Sequence, residues 1–333
     1  MAITRNWHID LVKTIAMTLV VMQHAWSMLE LDVPSLGFVC GGYRAIVTVG
    51  VPLFVFASGV LLLNRNPEPL GMFYTKRLKR ILIPFVILAL VMYIISIAVG
   101  LYGWWDGNIV NAIQQFIPSL LENKINISHW FVHMLLALYI VTPFLQHTLH
   151  KLSKREIQGV LLVWTIGMVL RQIYPNMSIL AYTSALWTYL GVYIAGYYVS
   201  KYAINNVRYL YIGIIGTFIL YAIGAFTDCV VKLNVPLTAI FLGMTCLNIP
   251  TYTIHTSVLG QFITKISRYS YTIYLLHVMA IRAIYMLTIT YIPISLIPFI
   301  PLIITPLIII IFYVFCTIYD KIRWLPNNII GIG

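Results

Sequence analysis

Lys13 and His24 stand eleven positions apart in the apolar segment DLVKTIAMTLVVMQHAWSML, residues 10–29. Eleven steps along a helix end roughly 20° past three full turns, so the two side chains share a face and are separated by roughly 16 Å. Polar groups at membrane depth are costly and mark function by default. A histidine there suits a general base, because it titrates near neutrality; the plainer alternative is packing glue between helices. Asp10 precedes Lys13 by three residues, a spacing that allows an ion pair, and Lys13 alone could equally snorkel to the membrane boundary.

Other segments carry comparable features. In GMFYTKRLKRILIPF, residues 71–85, Arg77 and Arg80 are three apart, with Lys76 and Lys79 beside them. Such a pair can clamp phosphate oxygens bidentately, although topological anchoring produces the same cluster and, on composition alone, is the better account. His129 and His133 have metal-ligand spacing, but no Glu follows His129 and no third ligand is evident, so no metal is expected. Trp130 suits an interface or a pocket wall. Ser58-Gly59 in VGVPLFVFASGVLL is no nucleophile elbow and reads as a close helix approach. Ser270, Tyr274 and His277 recur at steps of four and three in ISRYSYTIYLLHVMAI, forming a polar stripe that lines a cavity or satisfies itself.

The elements that must position these residues follow from composition. The chain is 61% hydrophobic and 9% charged, with a mean hydropathy of +0.91. Soluble domains carry roughly 25% charged residues, so the expectation is an all-α polytopic membrane protein, and a separate soluble domain is not indicated. Its runs are continuously apolar rather than alternating, which excludes a membrane barrel. The four cysteines, Cys40, Cys229, Cys246 and Cys316, show no metal or disulfide spacing.

A span needs about 20 mostly apolar residues. Ten candidates occur, near 10–30, 45–63, 79–101, 129–149, 157–172, 178–199, 208–226, 235–249, 269–290 and 294–319. Alternating assignment places fifteen basic residues on the side of the N-terminus and four on the other. That asymmetry puts both termini in the cytoplasm and accounts for most of the net charge of +12; the basic face suits anionic lipid head groups or an anionic substrate rather than nucleic acid. The longest connection, 102–128, faces outward and carries Trp104 and Trp105, and the final NNIIGIG is expected to fray.

These pieces, in this order, resemble the membrane acyltransferase 3 family, which includes bacterial O-acetyltransferases of surface glycans. The resemblance rests on Asp10-Leu11-Val12-Lys13 with His24 after ten intervening residues, and on Gly50-Val51-Pro52-Leu53-Phe54 through Ser58-Gly59. It rests further on Arg77, Arg80 and Pro84, on Trp130-Phe131 with Tyr139 and Pro143, and on Ser270, Tyr274 and His277. Lys13 stands where the family more commonly has Arg. The resemblance covers nearly the whole chain and implies one membrane-embedded domain over 1–333 of the stand-alone type, without a fused hydrolase-like or racemase domain.

By resemblance the chain is an acyltransferase of the bacterial plasma membrane. It would move an acyl group, by family habit acetyl, from cytoplasmic acyl-CoA to a hydroxyl of a surface glycan or lipid-linked sugar. Acyl-CoA is then a donor substrate, and no permanent cofactor is implied. His24 would be the catalytic residue, with Lys13, Arg77 and Arg80 at the coenzyme end. Asp10, Ser58, Trp130, Tyr139, Ser270, Tyr274 and His277 would line or support the cavity. The competing expectation is a multispan transporter or flippase, against which stand the ordered motifs and the lack of a visible second half repeating the first.

Overall fold

The computed structural model describes residues 6–32, 42, 44–99, 107–174, 184–227, 233–250, 254–288, 296, 299–322 and 329–332. Among them every extended element is helical. In chain order these are α1 (Trp7–Asp32), α2 (Gly50–Leu63), α3 (Leu70–Arg77), α4 (Ile83–Ala98), α5 (Ile109–Leu121), α6 (Trp130–Leu149), α7 (Lys154–Ile173), α8 (Ser184–Tyr202), α9 (Val207–Thr227), α10 (Val235–Asn248), α11 (Val258–Thr288) and α12 (Ile300–Asp320). A π-helical turn, Leu78–Leu82, joins α3 to α4.

Seven stretches among the described residues are long and apolar enough to cross a membrane, against the ten expected. The other three expected spans are helices that fall short in length or apolarity. Helix α1 carries Lys13, Gln23 and His24, α8 is rich in tyrosine, and α10 has 14 residues.

Helix α1 occupies the centre of the bundle. It packs against α11, α2, α12 and α10, burying Val12, Ala16, Met17, Val20 and Val21. Helices α7 and α9 are peripheral, with only 22% and 11% of their apolar windows covered by the rest of the protein. They turn the remainder outward, as lipid-facing helices must. The crossing of α2 with α8 depends on absent side chains. A Cβ added to Gly59 would stand 2.0 Å from the Tyr193 carbonyl oxygen, and one added to Gly196 would stand 2.3 Å from that of Phe56. Small residues that let backbones touch are the usual basis of helix association in lipid, as expected at Ser58-Gly59.

Two expectations need correction. The connection 102–128 contains helix α5, because Asn108 caps it by accepting from the Val110 amide at 2.9 Å and its residues alternate sides at helical spacing. Ala112 and Leu120 are buried, whereas Ile109, Ile113, Ile117 and Leu121 form an exposed apolar stripe. The final segment does not fray over residues 329–332. Ile330 and Ile332 are buried in the core, and the Ile330 carbonyl accepts from Thr272 Oγ1 at 2.7 Å. Arg5, Cys40, Trp104, Trp105 and Cys229 lie outside the described residues; Cys246 and Cys316 are free and buried.

Candidate functional site

The seam between α1 and α11 organises the site. Lys13 Nζ donates to the Ser267 carbonyl at 3.2 Å, and Ser267 Oγ donates to Asp10 Oδ1 at 2.6 Å. Farther along, the His24 and His277 rings face each other with centroids 5.0 Å apart. The two contacts are eleven residues apart on α1 and ten on α11, so the helices run side by side in the same direction. Ser267, Ser270, Tyr274 and His277 are all buried along this seam. The polar stripe read from the sequence thus begins one helical step earlier, at Ser267.

Around the Lys13 end the bundle opens into a cavity. Its wall takes Lys13 from α1, Ser58 from α2, Arg77 from the end of α3, Arg80 from the π turn, Tyr139 from α6, and Ser270 and Tyr274 from α11. Seven of the eleven site residues anticipated from sequence therefore meet in one place. Asp10 is tied to them through Ser267. His24 and His277 lie beyond the cavity wall, and Trp130 is not brought to it. The Trp130 ring packs instead on Tyr189, at 5.9 Å, and on Phe131.

Local geometry delivers the arginines. Pro84 has no N–H to offer the Arg80 carbonyl, four residues back, so a regular α-helical turn cannot close there. The chain widens into the π turn, a feature frequent at functional sites. Arg77 ends α3 buried, its guanidinium 5.2 Å from the centre of the Phe73 ring. Among the described residues its Nε and Nη2 have no hydrogen-bond partner. Buried guanidinium donors without acceptors are costly and are what an arriving anion would satisfy.

Two further cations, Arg65 and Arg268, also line the cavity. Arg65 Nε donates to the Leu61 carbonyl at 3.1 Å. Its guanidinium is held below its usual pKa, first by burial and then by repulsion from Arg77 and Arg80, which Glu68 and Tyr139 partly offset. Arg268 is gripped by both oxygens of Asp320, at 2.7 and 2.9 Å. The signal that marked them was weak, since a basic residue at a helix end is the ordinary topological pattern. Gly331, with φ of +83°, completes the wall near Tyr271 and Pro84.

Toward the histidines the wall turns aromatic. The Tyr274 ring lies 4.9 Å from Phe131 and 6.5 Å from Phe54, and its hydroxyl donates to the Ser128 carbonyl. The same ring is 5.7 Å from His277. Ring contacts therefore link the wall that carries five cations, through Tyr274, to the buried His277 and the half-buried His24. Elsewhere, His129 is buried edge-on to Phe85 and His133 Nδ1 is 2.9 Å from Asn123 Oδ1. No group of three or more potential metal ligands occurs among the described residues.

With this geometry in view, residues 6–320 match the family model for the acyltransferase domain of the acyltransferase 3 family. The chain belongs to that family. This acyltransferase 3 member is accordingly a membrane acyltransferase, and its cation-lined cavity and histidine pair sit on the segments that carried the resemblance. Neither a curated protein nor a solved structure matches the chain.

Proposed function

We infer that this protein transfers an acyl group, acetyl in the first instance, from cytoplasmic acyl-CoA to a hydroxyl of a surface glycan or lipid-linked sugar. The observation that carries the reading is the gathering of Lys13, Arg65, Arg77, Arg80 and Arg268 around one cavity, whose Tyr274 wall packs on the His277 ring beside His24. Coenzyme A presents several phosphates, and planar guanidinium forks match phosphate oxygens in both charge and geometry. In this reading the chain is one domain of ten spans in the plasma membrane, with the cavity and both termini on the cytoplasmic side, where the positive-inside asymmetry puts them.

Lys13 and Arg77 hold the phosphate end, and the separation of roughly 16 Å along α1 leaves room for an extended thioester arm to reach His24. The aromatic wall keeps water from the thioester carbonyl. His24 takes the proton of the acceptor hydroxyl as its oxygen attacks that carbonyl.

The test uses the purified full chain with acetyl-CoA, following coenzyme A release and acetyl transfer, together with mass spectrometry of glycans and lipids from cells with and without the gene. Acetyl transfer that disappears in His24→Ala supports the reading. If acetyl-CoA neither binds nor turns over, and the protein instead moves a lipid-linked or small substrate across liposomes, it is a transporter.

A further inference from the structure

Among the described residues, His277 Nε2 is a buried polar atom with no partner, and its ring faces that of His24. We propose that His277 is a positioning residue for His24. Its Nε2 accepts a hydrogen bond from one ring nitrogen of His24, which leaves the other His24 nitrogen bare to take the acceptor's proton. This rests on the acyl-transfer reading above.

The tautomer of His277 follows from its partners. Nδ1 lies 2.7 Å from the Tyr274 carbonyl oxygen and 3.2 Å from that of Ile273. Carbonyl oxygens only accept, so Nδ1 carries the hydrogen, and in a neutral imidazole Nε2 is then a bare lone pair. That lone pair is wholly buried. Leaving a buried acceptor unsatisfied is unfavourable, and it stands beside a ring that can donate. The ring centroids are 5.0 Å apart with a tilt of 56°, a separation within which two imidazoles can share a nitrogen-to-nitrogen hydrogen bond.

The other polar groups nearby are engaged elsewhere. Ser27 Oγ donates to the His24 main-chain carbonyl, not to its ring. The Tyr274 hydroxyl is committed to Ser128. Asp10 and Lys13, fourteen and eleven residues before His24 on α1, meet at Ser267, ten before His277 on α11. His277 thus fills the place that a carboxylate fills behind the histidine of a catalytic triad, fixing tautomer and orientation, at a depth where a second charge would be costly.

The proton balance is closed. The acceptor oxygen bonds to the thioester carbon, and its proton passes to the bare nitrogen of His24. As the C–S bond breaks, the departing thiolate takes that proton from His24. His277 keeps its own proton on Nδ1 and stays neutral throughout.

The substitutions Gln, Asn and Leu separate this role from packing. The full chain in detergent is given acetyl-CoA, with water as the acyl acceptor, and released coenzyme A is measured. His277→Leu should lower kcat by roughly 10- to 100-fold, the range found when the hydrogen-bonding partner that orients a metal-bound imidazole is removed, with KM for acetyl-CoA unchanged. His277→Gln places an amide oxygen where Nε2 stood and should recover much of the loss. His277→Asn restores only the donor to the Tyr274 carbonyl and should behave like Leu. Equal activity of the Leu variant, or a change in KM alone, overturns the proposal.

Nitrogen-15 spectra of histidine-labelled protein provide a readout independent of turnover. His277 should show a protonated Nδ1 and a bare Nε2, and the Nε2 resonance should move toward its unbonded position in His24→Ala. A protonated Nε2 sinks the proposal even if turnover is normal. Should the nitrogen pattern hold while acetyl-CoA is never cleaved, the positioning geometry stands and the acyl-transfer reading is what fails.

Discussion

At the Lys13 end of the α1–α11 seam, five cations surround an open cavity, and Arg77 offers two guanidinium nitrogens without a partner among the described residues. Eleven residues along α1, the same seam closes over two imidazoles and the rings of Tyr274, Phe131 and Phe54. The two regions are built on shared helices with opposite materials. Charge is concentrated where the bundle opens, because an ion is tolerable there. The groups suited to moving a proton lie deeper, His277 buried and His24 half-buried, where electrostatic effects are stronger than in water. Binding and turnover should therefore separate along the helix axis. Substitutions at the cation end should act on KM, and substitutions at the histidine end on kcat.

The strongest test of that separation is His24→Ala. Loss of a general base costs roughly 10²–10⁴-fold, so kcat should fall by that factor while acetyl-CoA still stabilises the purified protein in a thermal melt. A variant that loses binding rather than turnover would place His24 with the cations and dissolve the distinction. Arg77→Ala should do the reverse. A hydrogen bond to a charged group contributes about 1.5–3 kcal/mol, which raises KM for acetyl-CoA roughly ten- to a hundredfold with little change in kcat. Arg77→Lys should not restore it, because an ammonium supplies neither the planar fork nor the stacking on Phe73.

A third substitution tests the frame that both regions share. Gly59 and Gly196 let α2 and α8 touch backbone to backbone, and α2 in turn holds the Ser58 and Phe54 positions of the wall. Gly59→Val must push those helices apart. Overpacking costs about 1–3 kcal/mol, so the melting temperature should drop by several degrees and both kinetic constants should deteriorate together. A selective change in one of them would mean that α2 belongs to one region rather than to both.

How far the sequence reveals these regions depends on which signal each residue leaves. Helical periodicity placed Lys13 with His24, and Ser270 with Tyr274 and His277, and the structure joins the two stripes along one seam. Periodicity says nothing about which helices become neighbours, so the His24–His277 contact was not visible until the bundle was assembled. Arg65 and Arg268 were hidden for a different reason. A cation at a helix end satisfies the topological rule whether or not it faces a cavity, and composition cannot separate the two. Helix α5 was concealed by the polar residues Asn111, Gln114 and Gln115 that interrupt its apolar run in sequence. The return of residues 329–332 into the core was concealed by their brevity, since four residues show no period.

The smallest expected effect probes how finely the cation end is tuned. Asp320 holds Arg268 through both carboxylate oxygens, and each partner is partly exposed. Ion pairs in that setting contribute roughly 0–1 kcal/mol, so Asp320→Asn should leave the fold intact. Its consequence for binding has two opposing parts. Releasing Arg268 frees a guanidinium to meet a phosphate, which favours acetyl-CoA. It also lets a long side chain sample many rotamers, and ordering it again on binding costs roughly 0.5–1.5 kcal/mol. The second part is the larger for a fork already aimed at the cavity, so KM should rise a few-fold at low salt, with kcat unmoved. Raising ionic strength should weaken binding in both proteins, because charges at an open cavity are screened, and should leave kcat at saturating acetyl-CoA nearly constant. A kcat that fell with salt would carry the influence of the cations all the way to His24, and the two ends of the seam would have to be treated as one site.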